Sequence, residues 1–366
     1  MSVVAAPLRS DRVWLLTTGI LLAGAAALFV GLVSAYGTDQ LGYDFRAAYL
    51  PAAEAVRDGH SPYPSPGDAS VVEGTAYVYP PQLAIALVPF TALPVDVAAL
   101  LASLLAGAAL AGALLVLGVR DVRCYAATML WAPTWNALEM ANASALLVLA
   151  LAIAWRYRDG VWRPAVALGA AVSAKLVLWP LLVWTAARGA VRATLCAIGV
   201  GAGLTAAGWG LLGFAGIGDY PDLLQRLGDA QAGSSYSFVG LASALGLSET
   251  VGHALALAVG GALVVACAAR SRAGDDVRAM TWAVAASLAL SPIVWQHYLV
   301  LLLVPLAIAR PRFSAVWLLP IVLWASPRAG HGAGIEPFLP FLVVVCVVAV
   351  VVGGRQTSTR TAPEAT

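Results

Sequence analysis

Long apolar runs recur from one end of the chain to the other, with short polar segments between them. The first run, residues 13–35, carries no charged side chain and is longer than the ~20 residues that a helix needs to cross a bilayer. A signal-peptide core is shorter, so we expect this run to be retained as a helix. Because helices satisfy their own backbone hydrogen bonds within lipid, the recurring pattern predicts an all-α polytopic membrane protein.

The apolar pattern predicts about twelve membrane-crossing helices, several of which are short. Their predicted ranges are 13–35, 95–118, 122–138, 141–156, 162–175, 176–187, 190–213, 250–269, 278–291, 293–309, 313–326 and 337–353. A further apolar segment at 80–93 has proline-rich ends and is predicted to be re-entrant or interfacial. The helices form one predicted transmembrane domain over residues 1–353, with large polar loops at 36–94 and 214–249 and a tail at 354–366.

Composition agrees with this class, and the charges orient the chain. The sequence is 61% hydrophobic and 11% charged, whereas soluble domains are about 25% charged. With a cytoplasmic N-terminus, 16 of the 21 basic residues fall on the cytoplasmic side, as the positive-inside rule requires. The remaining 5 are Arg46, Arg57, Lys175, Arg226 and Arg328. We therefore expect a cell-membrane protein with both termini cytoplasmic and both large loops extracytoplasmic.

Three pairs of short helices are predicted to turn back before they reach the outer water layer. The pairs are 122–138 with 141–156, 162–175 with 176–187, and 278–291 with 293–309. Their turns carry Asn136, Glu139, Asn142, Lys175, Trp295, Gln296 and His297. We expect these turns to form the recessed floor of a cavity that opens to the extracytoplasmic side.

The segment LGYDFRAAYLPAAEAVRDGHSPYPSPGD, residues 41–68, follows the first crossing and still has helical spacing. Its apolar positions share one face, which predicts an amphipathic helix over 45–58 at the outer membrane surface. Pro51 is expected to kink or restart this helix, and Gly59 to end it. Asp44 stands at its start as an N-cap, as a carboxylate facing the cavity, or as both. The polar face is interpreted as solvated charge: Glu54, Arg57 and Asp58.

Two ionisable side chains interrupt apolar runs and are candidates for function. Lys175 lies in AVSAKLVLWP, where inserting a lysine into the membrane costs roughly 2.5–3.5 kcal/mol. Snorkelling of its ammonium to the interface is the alternative. His297 lies in LSPIVWQHYLVLL, and a structural histidine is the alternative there.

A third stretch, TAYVYPPQLAIALVPFTALP at residues 75–94, places Tyr-Pro-Pro before an apolar segment. Considered alone, it is typical of a loop and an interfacial helix, with Tyr77 and Tyr79 in the aromatic belt.

Other kinds of chemistry lack their sequence motifs. The chain has no Asp-x-Asp metal motif and no phosphate-binding glycine-rich loop. Its histidines show no zinc-ligand spacing, so we expect no metal; they are His60, His253, His297 and His331. All four cysteines lie in or near predicted crossings, so we expect no structural disulfide.

In this order, the stretches resemble glycosyltransferase family 87, a family of polyprenyl-phosphate-mannose-dependent α-mannosyltransferases. The motifs are D-F-x-x-x-Y-x-x-A-x after the first crossing and later G-x-x-P-Y, then Y-P-P, a membrane K-x-x-x-x-P, and S-P-x-x-W-x-H. The resemblance implies a GT-C-like fold whose first outer loop carries juxtamembrane helices. The chain departs from the family at Glu139-Met140-Ala141-Asn142, where an Asn-Gly-Gln-type turn is expected.

The resemblance also implies roles for individual residues. Asp44 matches the catalytic base, and Lys175 and His297 match residues near the donor phosphate, to which we add the neighbouring Arg46. The residues expected in the substrate cavity are Tyr49, Tyr63, Tyr79, Glu139, Asn142, Trp295 and Gln296.

These residue types suit sugar transfer from a lipid phosphate. A phosphate leaving group needs a cation, and the acceptor hydroxyl needs a base. We therefore expect an inverting transfer of mannose from a polyprenyl-phosphate donor to a glycolipid or lipoglycan acceptor, among membrane lipids, without a cofactor or a nucleic-acid partner. Arabinofuranose would need the same architecture. A flippase or transporter of lipid-linked sugars is the main alternative, and an inactive scaffold is a third.

Overall fold

A computed structural model of the chain describes residues 8–36, 41–326 and 338–354. Over these ranges the regular structure is helical and includes no strand. The α-helices are α1 (Leu8–Tyr36), α2 (Leu50–Arg57), α3 (Ala69–Glu73), α4 (Pro81–Leu87), α5 (Val95–Val116), α6 (Val122–Met129), α7 (Ala132–Met140), α8 (Ser144–Arg156), α9 (Trp162–Ala174), α10 (Pro180–Ala187), α11 (Val191–Leu211), α12 (Tyr220–Gln231), α13 (Phe238–Ala244), α14 (Glu249–Arg272), α15 (Asp276–Ala289), α16 (Leu303–Ala309) and α17 (Leu339–Gly353). A π-helical turn spans Phe45–Tyr49, and 3-10 segments span Val88–Ala92, Leu176–Leu178, Ala232–Ser234, Gln296–Leu302 and Ala315–Ala325. Arg328, His331 and the tail beyond residue 354 lie outside the described residues.

Four helices of the described chain are long and apolar enough to cross a bilayer: α1, α5, α11 and α14. Helices α7 and α8 add a fifth if they count as one span, although the chain bends by 117° between them. The protein is therefore an all-helical membrane protein with four to five candidate spans by length and composition. Shorter apolar helices lie within four of the other predicted crossings: Leu176–Ala187, Gln296–Ala309, Ala315–Ala325 and Leu339–Gly353.

Two of the predicted breaks between short helices are present in the structure, and one predicted short helix is itself broken. The predicted break at Lys175 is present, since α9 ends at Ala174 and α10 begins at Pro180. The break beside Asn142 is present as well. The predicted single helix over 122–138 is wrong, because the chain breaks between α6 and α7. Pro133 lies in the first turn of α7, where its missing N–H costs no helical hydrogen bond.

Helices α9 and α11 pack closely enough for their backbones to touch. A Cβ at Gly169 would lie 2.6 Å from the Ala197 carbonyl oxygen, so only glycine fits at this crossing. Small residues allow membrane helices this close approach. From the other side, Gln82 of α4 donates a hydrogen bond to the Ser173 carbonyl at 2.8 Å. These contacts fix the end of α9, which leads directly into Lys175.

The first large loop folds back as predicted into short helices. Pro51 lies in the first turn of α2, and Gly59 follows its end with a φ of +79°. Arg57 and Asp58 are exposed and pair with each other at 2.9 Å, which confirms that they are solvated charges. The apolar 80–93 segment forms α4 and the adjoining 3-10 segment.

The two large loops contact each other. Tyr220, the first residue of α12, donates its hydroxyl to the Val78 carbonyl at 2.9 Å. Gln231, its last residue, donates to the Val72 carbonyl at 2.6 Å. Both loops therefore lie on the same side of the helix bundle.

Candidate active site

Three of the predicted turns and the start of the first loop meet at one polar cluster. Asn142, between α7 and α8, donates its side-chain amide to Asp44 Oδ2 at 2.7 Å. The same amide donates to the hydroxyls of Tyr49 at 2.9 Å and Tyr79 at 3.3 Å. Lys175, between α9 and α10, places Nζ 3.0 Å from the centroid of the Tyr298 ring. The structure thus brings these turns together from distant parts of the sequence.

Asp44 precedes the π-helical turn but does not cap it. Its φ and ψ of −62° and −37° are helical, and its carboxylate makes no capping hydrogen bond. The N-cap interpretation is therefore wrong, because a capping residue leaves the helical region and accepts an N–H of the first turn. The carboxylate is directed instead to Asn142.

A tight backbone contact places Asp44 beside α7. The Gly42 N–H donates to the Glu139 carbonyl at 2.6 Å. The φ of Gly42 is +73°, in the left-handed region that glycine adopts without strain. A Cβ at this position would lie 2.9 Å from the Ala99 Cβ of α5, so a larger residue would push the loop away from α5.

The environment of Asp44 tunes its basicity. Burial raises the pKa of the Asp44 carboxyl, because a charge is costly away from water. The hydrogen bond from Asn142 and the positive charge of Lys175 act in the opposite direction on this pKa. A carboxylate with a raised pKa holds an abstracted proton more firmly than an ordinary aspartate, which suits a general base.

Lys175 has an aromatic environment. Its ammonium lies over the Tyr298 ring and 5.8 Å from the centroid of the Tyr79 ring. Such contacts stabilise a desolvated cation by about 2 kcal/mol. Within the described chain, no carboxylate lies within ion-pair distance of Lys175. Its charge is therefore available to an anion.

His297 is buried and oriented by Asn136. Its Nδ1 lies 3.0 Å from Asn136 Oδ1, and we assign the proton to Nδ1 because that amide oxygen can only accept. Its Nε2 is buried and has no hydrogen-bond partner among the described residues. The His297 and Tyr298 rings meet edge to face with centroids 4.9 Å apart. One unpaired ring nitrogen thus lies close to the aromatic ring that holds Lys175.

A polar cavity lies beside this cluster and gives access to Asp44. The predicted residues that line it are Asp44, Tyr49, Tyr79 and Trp295. Tyr298 and Gln231 also line it, although neither was among the predicted residues. Tyr298 follows His297 directly in the run Trp-Gln-His-Tyr, so its position in the sequence could have indicated it. Gln231 comes from α12, and nothing local in the sequence relates it to Asp44.

Four predicted cavity residues do not line this cavity: Tyr63, Glu139, Gln296 and Asn142, the last of which binds Asp44. The predicted phosphate-binding residues Arg46, Lys175 and His297 do not line it either. Tyr63 donates its hydroxyl to the Tyr79 carbonyl at 2.9 Å. Gln296 donates to a backbone carbonyl of the 3-10 segment Ala315–Ala325 at 2.8 Å. Glu139 is buried near the end of α7. The side chains of Tyr63 and Gln296 are held by hydrogen bonds to backbone carbonyls, so they are directed away from the cavity.

Arg46 is engaged by structural partners. Its Nε donates to the Leu41 carbonyl at 2.7 Å, and its Nη1 pairs with Asp96 at 2.7 Å. Its Nη2 is buried without a hydrogen-bond partner among the described residues. In this structure Arg46 joins the first loop to the start of α5, and only Nη2 is left to bind a ligand.

The structure thus defines a membrane protein in which Asp44 and Lys175 belong to one polar cluster among apolar helices. A family model described as glycosyltransferase family 87 matches residues 77–294, which is 218 of the 366 residues. The chain belongs to glycosyltransferase family 87, and the family indicates a glycosyltransferase. No curated protein and no solved structure matches the chain.

The matched segment covers only part of the candidate site. It includes Asn142 and Lys175, whereas Asp44 precedes it and His297 follows it. The roles of Asp44 and His297 therefore depend on their positions in the structure.

Proposed function

We propose that the enzyme transfers mannose from a polyprenyl-phosphate donor to a glycolipid or lipoglycan acceptor, with inversion and on the extracytoplasmic side. The observation that carries this proposal is the polar cluster that joins Asp44 and Lys175. Asp44 lines the polar cavity, and Lys175 lies over the ring of Tyr298, another residue of the cavity wall. The positive charge of Lys175 acts on the Asp44 carboxyl. Family membership supports sugar transfer. It also favours an enzyme over the flippase and scaffold alternatives.

The proposed reaction is a single displacement. The acceptor hydroxyl oxygen attacks the anomeric carbon while Asp44 takes the hydroxyl proton. The bond from the anomeric carbon to the phosphate oxygen breaks, and polyprenyl phosphate leaves with the electron pair. Attack from the opposite face converts a β-linked donor into an α-linked product. A phosphate is a good leaving group, so the reaction needs no strong general acid.

Lys175 is the proposed cation for the leaving phosphate. Its ammonium has no carboxylate partner within the described chain, and preorganised charge is most effective in a site that excludes water. His297 is the second proposed phosphate ligand, through its unpaired Nε2 once that nitrogen is protonated. Arg46 contributes only through Nη2, since Asp96 and the Leu41 carbonyl occupy the rest of its guanidinium.

An apolar groove between α14, α15 and α17 supports the proposal that the donor carries a polyprenyl chain. Its volume of about 340 Å³ is within the range of pockets that hold sizeable ligands. It extends from Val294 along α17 to Val352. Val294 lies between Ile293 and Trp295, which both line the polar cavity. A lipid tail in this groove therefore has its phosphate end at the reaction site.

A second apolar groove supports a lipid acceptor. It has a volume of about 460 Å³ and lies between α4, α5 and α8. Its wall includes Asn142, which binds the carboxylate of Asp44, and Tyr49, whose hydroxyl accepts from the same amide. Because the base must contact the acceptor, we assign this groove to the acceptor and the α14–α17 groove to the donor.

We expect Ala289→Phe to weaken use of a long-chain donor. Ala289 is half-buried at the end of α15 and lines the donor groove, so a phenyl ring there would occupy the space proposed for the tail. Overpacking costs about 1–3 kcal/mol, which corresponds to a rise in the donor KM of about fivefold or more. The measurement compares KM for a long-chain donor with KM for a donor of two isoprene units, which should change less.

Val265→Phe is the matched control for the groove. Val265 is 68% exposed on α14 and lies outside the groove wall, so its KM for both donors should equal that of the unmodified enzyme. Equal KM values for the long-chain donor in the Ala289 variant and the unmodified enzyme would rule out this groove.

The proposed topology is a GT-C-like arrangement with about twelve crossings and the reaction site at the extracytoplasmic membrane surface. The contact between the two large loops through Tyr220 and Val78 supports placing both on one side. Most arginines fall on the side opposite these loops, which supports placing the loops outside the cytoplasm.

Cysteine labelling in intact cells tests this orientation. Single cysteines at the exposed positions Ser65 and Ser248 should react with a membrane-impermeant maleimide in a background without native cysteines. Cysteines at Ala186 and Ala273, which are exposed on the opposite side of the predicted topology, should react only after the cells are opened. The reverse labelling pattern would show that the orientation is inverted.

The donor is tested directly with matched substrates. Membranes that contain the enzyme are supplied with polyprenyl-phosphate mannose, polyprenyl-phosphate arabinofuranose or a nucleotide-linked mannose, and glycolipid products are identified by mass spectrometry. We expect product from the first donor. Product from arabinofuranose alone would change the sugar, and product from the nucleotide sugar alone would contradict the lipid-phosphate donor.

A further inference from the structure

The two asparagines of the chain each hold one side chain of the candidate site. Asn136 orients His297, and Asn142 binds Asp44. Asn142 is only 2% exposed, and it lies in the turn where the chain departs from the pattern expected of its family. Its side chain bonds to Ser144 through the amide oxygen and to Asp44 through the amide nitrogen.

Ser144 determines which way the Asn142 amide faces. The backbone N–H of Ser144 donates to Asn142 Oδ1 at 3.0 Å, and the Ser144 hydroxyl donates to the same oxygen at 2.9 Å. An amide oxygen that accepts two hydrogen bonds must lie on the Ser144 side. The NH₂ group therefore has to face Asp44, and a flipped amide would lose both Ser144 contacts.

The hydrogen bond from the Asn142 amide makes the two carboxylate oxygens of Asp44 unequal. Oδ2 receives the 2.7 Å hydrogen bond from Asn142, whereas Oδ1 has no protein hydrogen-bond partner among the described residues. The second proton of the amide is directed to the hydroxyls of Tyr49 and Tyr79. One carboxylate oxygen is thus held and the other is left to receive a proton.

We propose that Asn142, oriented by Ser144, is the positioning residue for Asp44: it holds one carboxylate oxygen and keeps the carboxylate ionised and aimed for proton transfer. This inference rests on the proposed function, because it assumes that Asp44 is the base. A hydrogen bond to the charged form of an acid favours that form, so loss of Asn142 should make Asp44 harder to ionise.

The other groups that face Asp44 do not obscure this effect. Lys175 approaches from the end of α9, and its charge favours the ionised carboxylate. Tyr49 and Tyr79 approach from the first loop, and burial raises the pKa of both phenols, so they stay neutral near neutral pH. Tyr298 lies near Asp44 and lines the same cavity. The acid limb of the pH–rate profile therefore reports Asp44.

The test is the pH dependence of kcat/KM for Asn142→Ala and Asn142→Asp. Losing a charge-assisted hydrogen bond raises the pKa of the carboxyl, so the acid limb of Asn142→Ala should move to higher pH by about one unit. Asn142→Asp keeps the volume and can still accept from Ser144, which protects folding. It also places a second carboxyl against Asp44, so its acid limb should move further in the same direction.

A double-mutant cycle separates positioning from structural support. In an Asp44→Asn background, Asn142→Ala should lower turnover no further, because the group that it positions is no longer a base. Ser103→Ala is the control. It removes a different buried hydrogen bond to α7, from Ser103 to the Leu138 carbonyl at 2.8 Å, and should leave the acid limb in place.

The outcomes distinguish this inference from the proposed function. Unshifted acid limbs in both Asn142 variants, or equal losses from Asn142→Ala with and without Asp44, would overturn the positioning role while Asp44→Asn stays inactive. An active Asp44→Asn enzyme would instead overturn the proposed base, and the positioning role with it.

Discussion

Asp44→Asn is expected to lower the turnover of sugar transfer by about 100- to 10,000-fold, the usual contribution of a general base. The amide has nearly the same shape as the carboxylate, and its oxygen can still accept the hydrogen bond from Asn142. It cannot take a proton from the acceptor hydroxyl. The variant should therefore fold and bind the donor normally, and its loss should appear in kcat measured at saturating donor.

The matched control for this substitution is Asp58→Asn. Asp58 belongs to the same loop but is exposed, and it pairs with the neighbouring Arg57. Its variant should retain the turnover of the unmodified enzyme. If Asp44→Asn stays active, or if Asp58→Asn loses as much activity, a different carboxylate is the base.

Lys175→Ala is expected to lower turnover or donor affinity by about 10- to 100-fold. A charge-assisted contact contributes about 1.5–3 kcal/mol, and Lys175 is the only lysine in the sequence. Kinetics with donors of equal tail length will separate an effect on kcat from one on KM. An effect on both is expected, since the cation contacts the phosphate before and during bond cleavage.

Arg226→Ala is the control for the loss of positive charge. Arg226 is an exposed cation of α12, on the same side of the molecule as the candidate site. Its removal should leave kinetics unchanged at physiological salt, because exposed charges are screened. Unchanged kinetics in a folded Lys175→Ala enzyme would contradict phosphate binding and leave snorkelling as the explanation of this lysine.

The sequence could indicate Lys175 and His297 because each interrupts an apolar run, whereas Asp44 was indicated by its place at the start of the first outer helix and by the family resemblance. An ionisable side chain in an apolar run is costly, so its presence in a membrane protein points to a function. The turn at Asn142 was indicated by its polar side chains between two apolar runs. These residues needed no knowledge of the fold to be singled out.

Contacts between distant segments could not be predicted in this way. The partner of Arg46 is Asp96, 50 positions further along the chain, and no local pattern relates the two. Tyr63 fixes the backbone of Tyr79 because the first loop folds back on itself. Gln231 reaches the cavity only because α12 of the second loop packs against the first.

The apolar pattern could not predict the helix boundaries either. Residues 122–138 are uniformly apolar enough to suggest one helix, yet the chain breaks before Pro133 and continues as α7. The predicted 313–326 crossing contains a 3-10 segment, Ala315–Ala325, with Pro320 inside it. Hydropathy measures whether a segment prefers lipid, whereas proline and packing decide where its helix begins and ends.

The central claim is that this chain itself transfers a sugar from a lipid phosphate, with Asp44 as the base. The most direct measurement uses enzyme purified in detergent, polyprenyl-phosphate mannose and a glycolipid acceptor, without closed vesicles. We predict stoichiometric release of polyprenyl phosphate and formation of an α-mannosylated glycolipid by the unmodified enzyme, and neither product with Asp44→Asn. Equal product formation by the two proteins, or no transfer by the unmodified enzyme unless sealed vesicles are present, would contradict the claim.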